Sequence, residues 1–228
     1  MTAKCDHQGV ERQANGSWVC RRCKAEFKSD PWDRFYTSHD QAELMVELAI
    51  ECGLGRGHRV LEPSAGRGAL VKALPHWVSV TAVEAVSAEA AQIRRAEGAD
   101  QTALEVEVAD FLRWTPAEST PFELGLMNPP YSSTDGADGL HVARALRWCD
   151  SVIALLRTNF LHGFGRYHGV FRWAELTHMI VLSRRPSFDG PADNGLGARH
   201  EYSIFRLKRR AAERQPYQSD TPIVRFVP

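Results

Sequence analysis

Asn128-Pro129-Pro130-Tyr131 holds, in four residues, what chemistry on an amino group requires. The Asn128 carboxamide offers a carbonyl oxygen that can accept a hydrogen bond from a substrate amine. Pro129 and Pro130 have fixed φ, and each restricts the residue before it to extended conformations, so the backbone carbonyls there are aimed. Tyr131 adds a flat ring of the kind that stacks on planar heterocycles. Two acceptors on one exocyclic amine hold its hydrogens and leave its lone pair for attack. Alone, the tetrapeptide also describes a turn after a buried strand, because Asn-Pro starts turns. The residues upstream of it decide between the two.

The elements that must position this loop alternate. Residues 39–52 place Leu44, Met45 and Leu48 at helical spacing and stop at Gly53. A short buried strand over 59–62 breaks at Pro63, and a tight loop, Ser64-Ala65-Gly66-Arg67-Gly68, opens a helix from Ala69. Strands follow at 78–83, 104–108 and 122–127, with a helix at 87–97 after the first of them. Beyond the tetrapeptide the pattern predicts helix 138–148, strand 151–157, helix 166–175, and strands 178–183 and 201–207. Strands alternating with helices imply an α/β fold, a mostly parallel twisted sheet with helices on both faces.

In such a sheet ligands bind off the carboxyl ends of the strands. The glycine turn follows the first strand, and Glu84, an acceptor for two ribose hydroxyls, follows the second. Asp110, an acceptor for an exocyclic amine, and Phe111, a stacking face, follow the third; Asn128 follows the fourth. This order places a nucleoside cofactor beside an amine-gripping loop. The glycine turn lacks GxGxxG and no GKS or GKT follows it, which weakens nicotinamide and nucleoside-triphosphate readings. Neither HExxH nor a GxSxG serine elbow occurs.

Residues 1–29 differ from the rest. Cys5 and His7 are followed by Cys20 and Cys23 in a CxH…CxxC set, three thiolates and an imidazole that suit tetrahedral Zn²⁺. So small a segment cannot bury a core, and metal binding would supply its folding energy; an unstructured arm with incidental cysteines is the plain alternative. The division expected is an arm at 1–29, an α/β domain at 30–214 and a loose Pro-containing tail at 215–228. Hydrophobic content of 43% and charged content of 25% are ordinary for a soluble globular protein. Lys+Arg and Asp+Glu balance at 28 each, so basic clusters, not net charge, mark any nucleic-acid contact: Arg21, Arg22, Lys24 and Lys28, and the run 206–214. No apolar run is long enough to span a bilayer and residues 1–30 lack a signal-peptide core, so a cytoplasmic location is expected.

Taken together, Arg34-Phe35-Tyr36-Thr37-Ser38, VLEPSAGRGAL at 60–70, Glu84, Asp110-Phe111 and the NPPY loop resemble the S-adenosylmethionine-dependent DNA adenine-N6 methyltransferases in their γ-type motif order. The resemblance runs through SVIALLRTNF at 151–160 and RPSF at 185–188, covering roughly 33–207, and with the cysteine-rich leader it is similar to phage or prophage methylases. It implies a Rossmann-like methyltransferase fold, a DNA partner and S-adenosylmethionine as cofactor. Thr37, Glu62, Ser64 and Gly66 would hold the cofactor's methionine end, Glu84 its ribose, and Asp110 and Phe111 its adenine. Gly68 would leave room for the following helix. Asn128 and the Pro129 carbonyl would grip the target amine while Tyr131 stacks on a flipped base. Full γ-type enzymes carry a large recognition domain, so a short or relaxed recognition site, or a second subunit, is expected here. Candidate DNA contacts are Arg184, Arg185, the loop 188–200, the run 206–214 and the arm. Methyl transfer to RNA adenine or to a protein glutamine uses the same loop. A non-catalytic zinc-bearing DNA-binding protein would be expected to have lost Glu84, Asp110 or Asn128, and all three are present.

Overall fold

The computed structural model describes residues 10–14, 17–27, 35–95, 103–117, 121–131, 136–188, 200–213 and 220–227. The arm carries three short antiparallel strands, β1 (Val10–Arg12), β2 (Trp18–Cys20) and β3 (Glu26–Phe27). The remainder builds one eight-stranded sheet.

The first helix, α1 (His39–Glu51), starts at Ser38, whose hydroxyl accepts from the Gln41 N–H while the Gln41 side chain accepts from the Ser38 N–H. This reciprocal cap satisfies two backbone donors that a helix start leaves without partners. Next come β4 (Arg59–Pro63), α2 (Ala69–Ala73), β5 (Ser79–Glu84), α3 (Ser87–Arg95), β6 (Leu104–Val108) and β7 (Phe122–Met127). They are followed by α4 (Ala137–Trp148), β8 (Cys149–Arg157), β9 (Ala174–Leu182), β10 (Tyr202–Arg209) and β11 (Ile223–Val227). Strand order is β11-β9-β10-β8-β7-β4-β5-β6, and β10 alone runs antiparallel to its neighbours.

Alternation along the central strands splits the core into two layers, as a period of two demands. Val60, Leu126, Ile153 and Leu155 face Met45, Leu70 and Ile93 of α1, α2 and α3. Leu61, Met127, Val152 and Leu156 face Val142 and Leu146 of α4. Helices thus cover both faces, as expected.

Two expectations fail. In place of the helix expected at 166–175, the chain follows a short α turn (Phe164–Arg166) with a π turn (Tyr167–Phe171), preceded by a 3₁₀ turn (Thr158–Leu161), and β9 has already begun at Ala174. Gly163, Gly165 and Gly169 interrupt any continuous helix there. The tail expected to be loose holds β11, which pairs in parallel with β9 from Ile223 to Val227. Asp220 anchors its start, accepting from the Leu176 N–H at 3.0 Å and pairing with Arg210.

Candidate active site

β4, β5, β6 and β7 are parallel, so their carboxyl ends share one edge, and the chain leaves that edge through the residues picked out above. After β4 the backbone turns through left-handed conformations at Ser64 (φ +65°) and Gly66 (φ +55°). The Tyr36 ring lies so close to Gly66 that a Cβ there would sit 3.0 Å from Tyr36 Cδ1, so only glycine admits the ring. Tyr36 is fixed in turn: its hydroxyl donates to Glu89 Oε1 at 2.6 Å, and the Arg67 guanidinium lies 4.5 Å over its ring while pairing with Glu89 at 3.2 Å. Nothing in the residue pattern marked Glu89 as part of the site; its carboxylate reaches it from α3.

Glu84, at the end of β5, accepts from the Gly66 N–H and the Val86 N–H, both at 2.7 Å. It ties the glycine turn to the neighbouring strand. A carboxylate has about four acceptor positions, so two bound N–H groups leave capacity for ligand hydroxyls.

One cleft of about 310 Å³ brings together Thr37, Glu62, Ser64, Gly66 and Asn128. Glu62 is 2% exposed, and its Oε2 has no hydrogen-bond partner among the described residues. Burial, and then the nearby Glu84 carboxylate, push the Glu62 carboxyl well above the usual carboxylate range, against a backbone hydrogen bond from Val71 that lowers it. An orphaned acceptor at a cleft wall is costly unless a donor arrives. A ligand ammonium, such as an amino-acid moiety carries, meets that need.

Asn128 forms the far wall. Its Nδ2 donates to the Phe35 carbonyl at 3.0 Å, and its Oδ1 accepts from the Tyr131 hydroxyl. Because a carbonyl only accepts, the Phe35 contact fixes which end of the amide is oxygen, and Oδ1 keeps a second lone pair for another donor. Tyr131 departs from its expected role as an open stacking face. It is 2% exposed, its hydroxyl also reaches the Leu155 carbonyl at 2.8 Å, and its ring packs 5.2 Å from that of Tyr202 and 6.1 Å from that of Phe188. A buried phenol settles where its hydroxyl finds acceptors, and here those lie inward. Behind the loop, Arg157 donates to the Tyr131 carbonyl at 3.0 Å, a support that the residue types did not signal.

At the end of β6, Asp110 is exposed, and its Oδ1 accepts from the Leu112 N–H at 3.0 Å in a local turn. Phe111, expected as a stacking face, is only 2% exposed and packs between Trp114 and His141, with ring centroids 6.0 and 5.7 Å away. The turn hydrogen bonds from the Trp114 N–H to the Asp110 and Phe111 carbonyls draw it into the core.

The basic run at 206–209 does not face this cleft. β10 is antiparallel, so its end lies at the opposite edge, with Lys208 paired to Ser151 at the start of β8. Arg206 donates to Thr177, Arg209 pairs with Asp150 and Arg210 with Asp220; Arg214 lies outside the described residues. Arg185 pairs with Glu201 at 2.8 Å, and 189–199 also lies outside. A second, larger cleft of about 550 Å³ occupies that opposite edge, beside Cys52, His58 and Arg206, and gathers none of the residues at the strand carboxyl ends. Convergence of functional groups, not size, selects the first.

In the arm, Cys20 is buried at the end of β2 and Cys23 lies exposed on the turn that follows. The Cys20 N–H donates to the Ala25 carbonyl and the Lys24 N–H to the Cys20 carbonyl, both at 2.9 Å, with Lys24 at φ +61°. Cys5 and His7 lie outside the described residues, among which no cluster of three or more His, Cys, Asp or Glu is placed to hold a metal. No described helix is long and apolar enough to cross a membrane.

No protein-family model matches this sequence, and no curated protein sequence matches it. Solved structures do match. A Pyrococcus horikoshii protein provisionally described as an RNA methyltransferase aligns with TM-score 0.63 at 19% identity, over 78% of this chain and 87% of its own. A Listeria monocytogenes protein provisionally described as a class I S-adenosylmethionine-dependent methyltransferase aligns with TM-score 0.61 at 13% identity, over 83% and 65%. The methyltransferase subunit of a type I restriction-modification system from Streptococcus thermophilus aligns with TM-score 0.60 at 20% identity, over 78% of this chain and 45% of that one. The present chain thus spans less than half of the Streptococcus protein. These likenesses establish the Rossmann-like methyltransferase fold.

Proposed function

We propose that this protein transfers a methyl group from S-adenosylmethionine to the exocyclic N6 amine of an adenine flipped out of DNA. The observation that carries this reading is that Asn128 walls the same cleft as the orphaned carboxyl of Glu62 and the glycine turn. Methyl acceptor and cofactor ends thereby meet in one cavity. Thr37, Glu62, Ser64 and Gly66 would hold the cofactor's methionine end, Glu84 its ribose hydroxyls and Asp110 its adenine amine. When bound there, S-adenosylmethionine supplies an electrophilic methyl group on a sulfonium centre whose sulfur departs with the bonding pair.

The chain's own residues do the rest. Asn128 Oδ1 and the Pro129 carbonyl take the two amine hydrogens, turning the nitrogen lone pair toward the cleft. The Phe35 carbonyl and the Tyr131 hydroxyl hold the Asn128 amide in one orientation before substrate arrives, which is where preorganisation gains most. The amine sheds its proton after transfer, so no strong base is required. Tyr131 acts here by holding Asn128, in place of the stacking role that the family resemblance implies. In the arm, Cys20 and Cys23, with Cys5 and His7, would hold one Zn²⁺ and so stabilise its small sheet.

Methylation of RNA adenine is the second reading, favoured by the Pyrococcus horikoshii structure, of which this fold spans 87%. Labelled S-adenosylmethionine offered with DNA, RNA and protein side by side separates the two, and label in protein alone would overturn both. Asn128→Ala should lower transfer about 10²–10³-fold, the scale for removing one preorganised polar group, while cofactor binding measured by calorimetry is largely kept. Near-normal turnover by that variant would remove Asn128 from the chemistry.

A further inference from the structure

Phe164 is 82% exposed, more than any other large apolar side chain described. It stands between Gly163 and Gly165, neither of which has a side chain to crowd its ring. An exposed phenylalanine costs solvation without contributing to the core, so its place in the fold is informative.

β8 runs parallel to β7, so the chain leaves β8 at the edge where Asn128 lies. Both ends of the following segment are tied to the catalytic loop and the helix after it. Arg157, the last residue of β8, donates to the Tyr131 carbonyl at 3.0 Å. Arg166 pairs at 3.1 Å with Asp138, which is buried in the first turn of α4. Arg166 also lies 4.9 Å over the ring of Phe160, a fully buried residue that roots the segment in the core. Between these two anchors Phe164 projects outward, braced on one side by the His168 ring at 4.1 Å, with Leu161 and Tyr167 also exposed nearby. From Thr158 to Arg172 the sequence has no Asp or Glu; its two arginines are each paired with an acid from outside the segment, Arg166 with Asp138 and Arg172 with Glu213, and both guanidiniums stay partly exposed. An apolar tip on a segment that brings no acid of its own and keeps two guanidiniums within reach of solvent suits a polyanion whose interior is apolar.

We propose that Phe164 is a wedge that enters the base stack of duplex DNA next to the target adenine and fills the space the flipped base leaves. The proposal rests on the DNA methyltransferase reading above. Proteins that kink or open a duplex insert apolar side chains between base steps, and the cost of extruding a base is least where it is already unpaired. Truncating the wedge should therefore damage reaction on paired DNA and spare reaction on single strands.

The test compares wild type, Phe164→Ala and Phe164→Leu on genomic duplex DNA and on the same DNA heat-denatured, with labelled S-adenosylmethionine. Phe164→Ala should lower kcat/KM on the duplex about tenfold to a hundredfold, the range for removing one ring that stacks on a base. On denatured DNA it should fall less than about threefold, a small part of what a stacking ring contributes. Phe164→Leu, which keeps an apolar tip, should recover most of the duplex activity, and cofactor affinity should be equal in all three proteins. Equal losses on both DNA forms, or none on either, would overturn the wedge while leaving the methyltransferase reading in place. A wild type that labels neither DNA form would overturn the DNA reading, and the wedge with it. A wild-type dimer that Phe164→Ala converts to monomer in sedimentation would assign the face to a second copy of this chain and also overturn the wedge.

Discussion

Glu62 shows what a single residue in this site is held ready for. A fully buried carboxyl beside Glu84 is pushed toward its neutral form by burial and by that second carboxylate, with Oε2 lacking a partner among the described residues. Its folded pKa lies above the unfolded value of about 4.3, so the native state binds a proton that the unfolded chain gives up. The stability this contributes is fully present below the unfolded pKa and is lost as pH rises toward the folded one. Glu62→Gln keeps the shape but cannot ionise. Between pH 5 and 7 the wild type should therefore lose stability relative to the variant, by at most about 1.4 kcal/mol per pH unit for one proton. Urea unfolding midpoints at several pH values measure this directly, and parallel curves for the two proteins would show that Glu62 is ionised in the native state. A cationic ligand group at Oε2 would reverse the preference. Cofactor binding to the wild type near neutral pH should then release a proton, read as a buffer-dependent heat that the Gln variant lacks.

At the scale of elements, the glycine turn and the helices around it have to fit within tenths of an ångström. Gly68 caps α2 at φ +74°, and a Cβ there would lie 3.1 Å from Ile93 Cγ1 on α3. The space that this glycine keeps open is needed by α3, not by the helix it begins. Ile93 is 2% exposed and belongs to the core layer shared with α1 and α2, so it has little room to yield. Gly68→Ala should destabilise the fold by about 1–3 kcal/mol, the cost of a strained backbone position, with the close approach to Ile93 adding to it. Thermal unfolding checks this, and an unchanged midpoint would mean that α3 moves aside freely. Elements with a strong period are legible in the sequence: α1, α4 and the central strands fall within a few residues of their expected places, because burial on one or both faces dictates their pattern. The segment 166–175 mimics a helix in sequence, since Tyr167, Val170, Phe171 and Ala174 recur at helical spacing, while Gly169 within it and Gly163 and Gly165 before it disfavour a continuous helix. β11 escapes a reading by pattern because an edge strand with Ile223, Val224 and Phe226 exposed carries little burial signal. Glu62, Ser64, Gly66 and Asn128 can be read at strand ends and line one cleft with Thr37, while Glu84, also at a strand end, accepts from the Gly66 N–H. The inward turn of Tyr131 and Phe111, and the support from Glu89 and Arg157, depend on contacts across 24 to 53 residues of sequence that no local pattern encodes.

For the whole molecule, equal numbers of acidic and basic residues leave no net field to draw in a polyanion, so the DNA contact proposed above rests on local placement. The basic run at 206–210 lies at the far edge from the cleft, with Arg209 paired to Asp150 and Arg210 to Asp220, so the proposed reading turns to the segment around Phe164, whose Arg166 and Arg172 are themselves paired with Asp138 and Glu213, and to the N-terminal arm. In the arm, Arg21 pairs with Glu11 across exposed surface, an interaction weak enough for a phosphate to displace, and Arg22 and Lys24 stand exposed on the same turn. If Cys5, His7, Cys20 and Cys23 hold a metal, purified protein should contain about one zinc per chain. A chain beginning at residue 30 should keep its cofactor affinity, because the cleft is built from residues between Phe35 and Asn128. Its DNA affinity should fall, and the slope of log K against log salt should become shallower by about 0.9 for each phosphate that the arm had neutralised. Metal analysis without zinc would reduce the four residues to incidental cysteines and a histidine beside a small sheet. Full zinc content combined with an unchanged salt slope would instead make the metal purely structural and remove the arm from the proposed DNA contact.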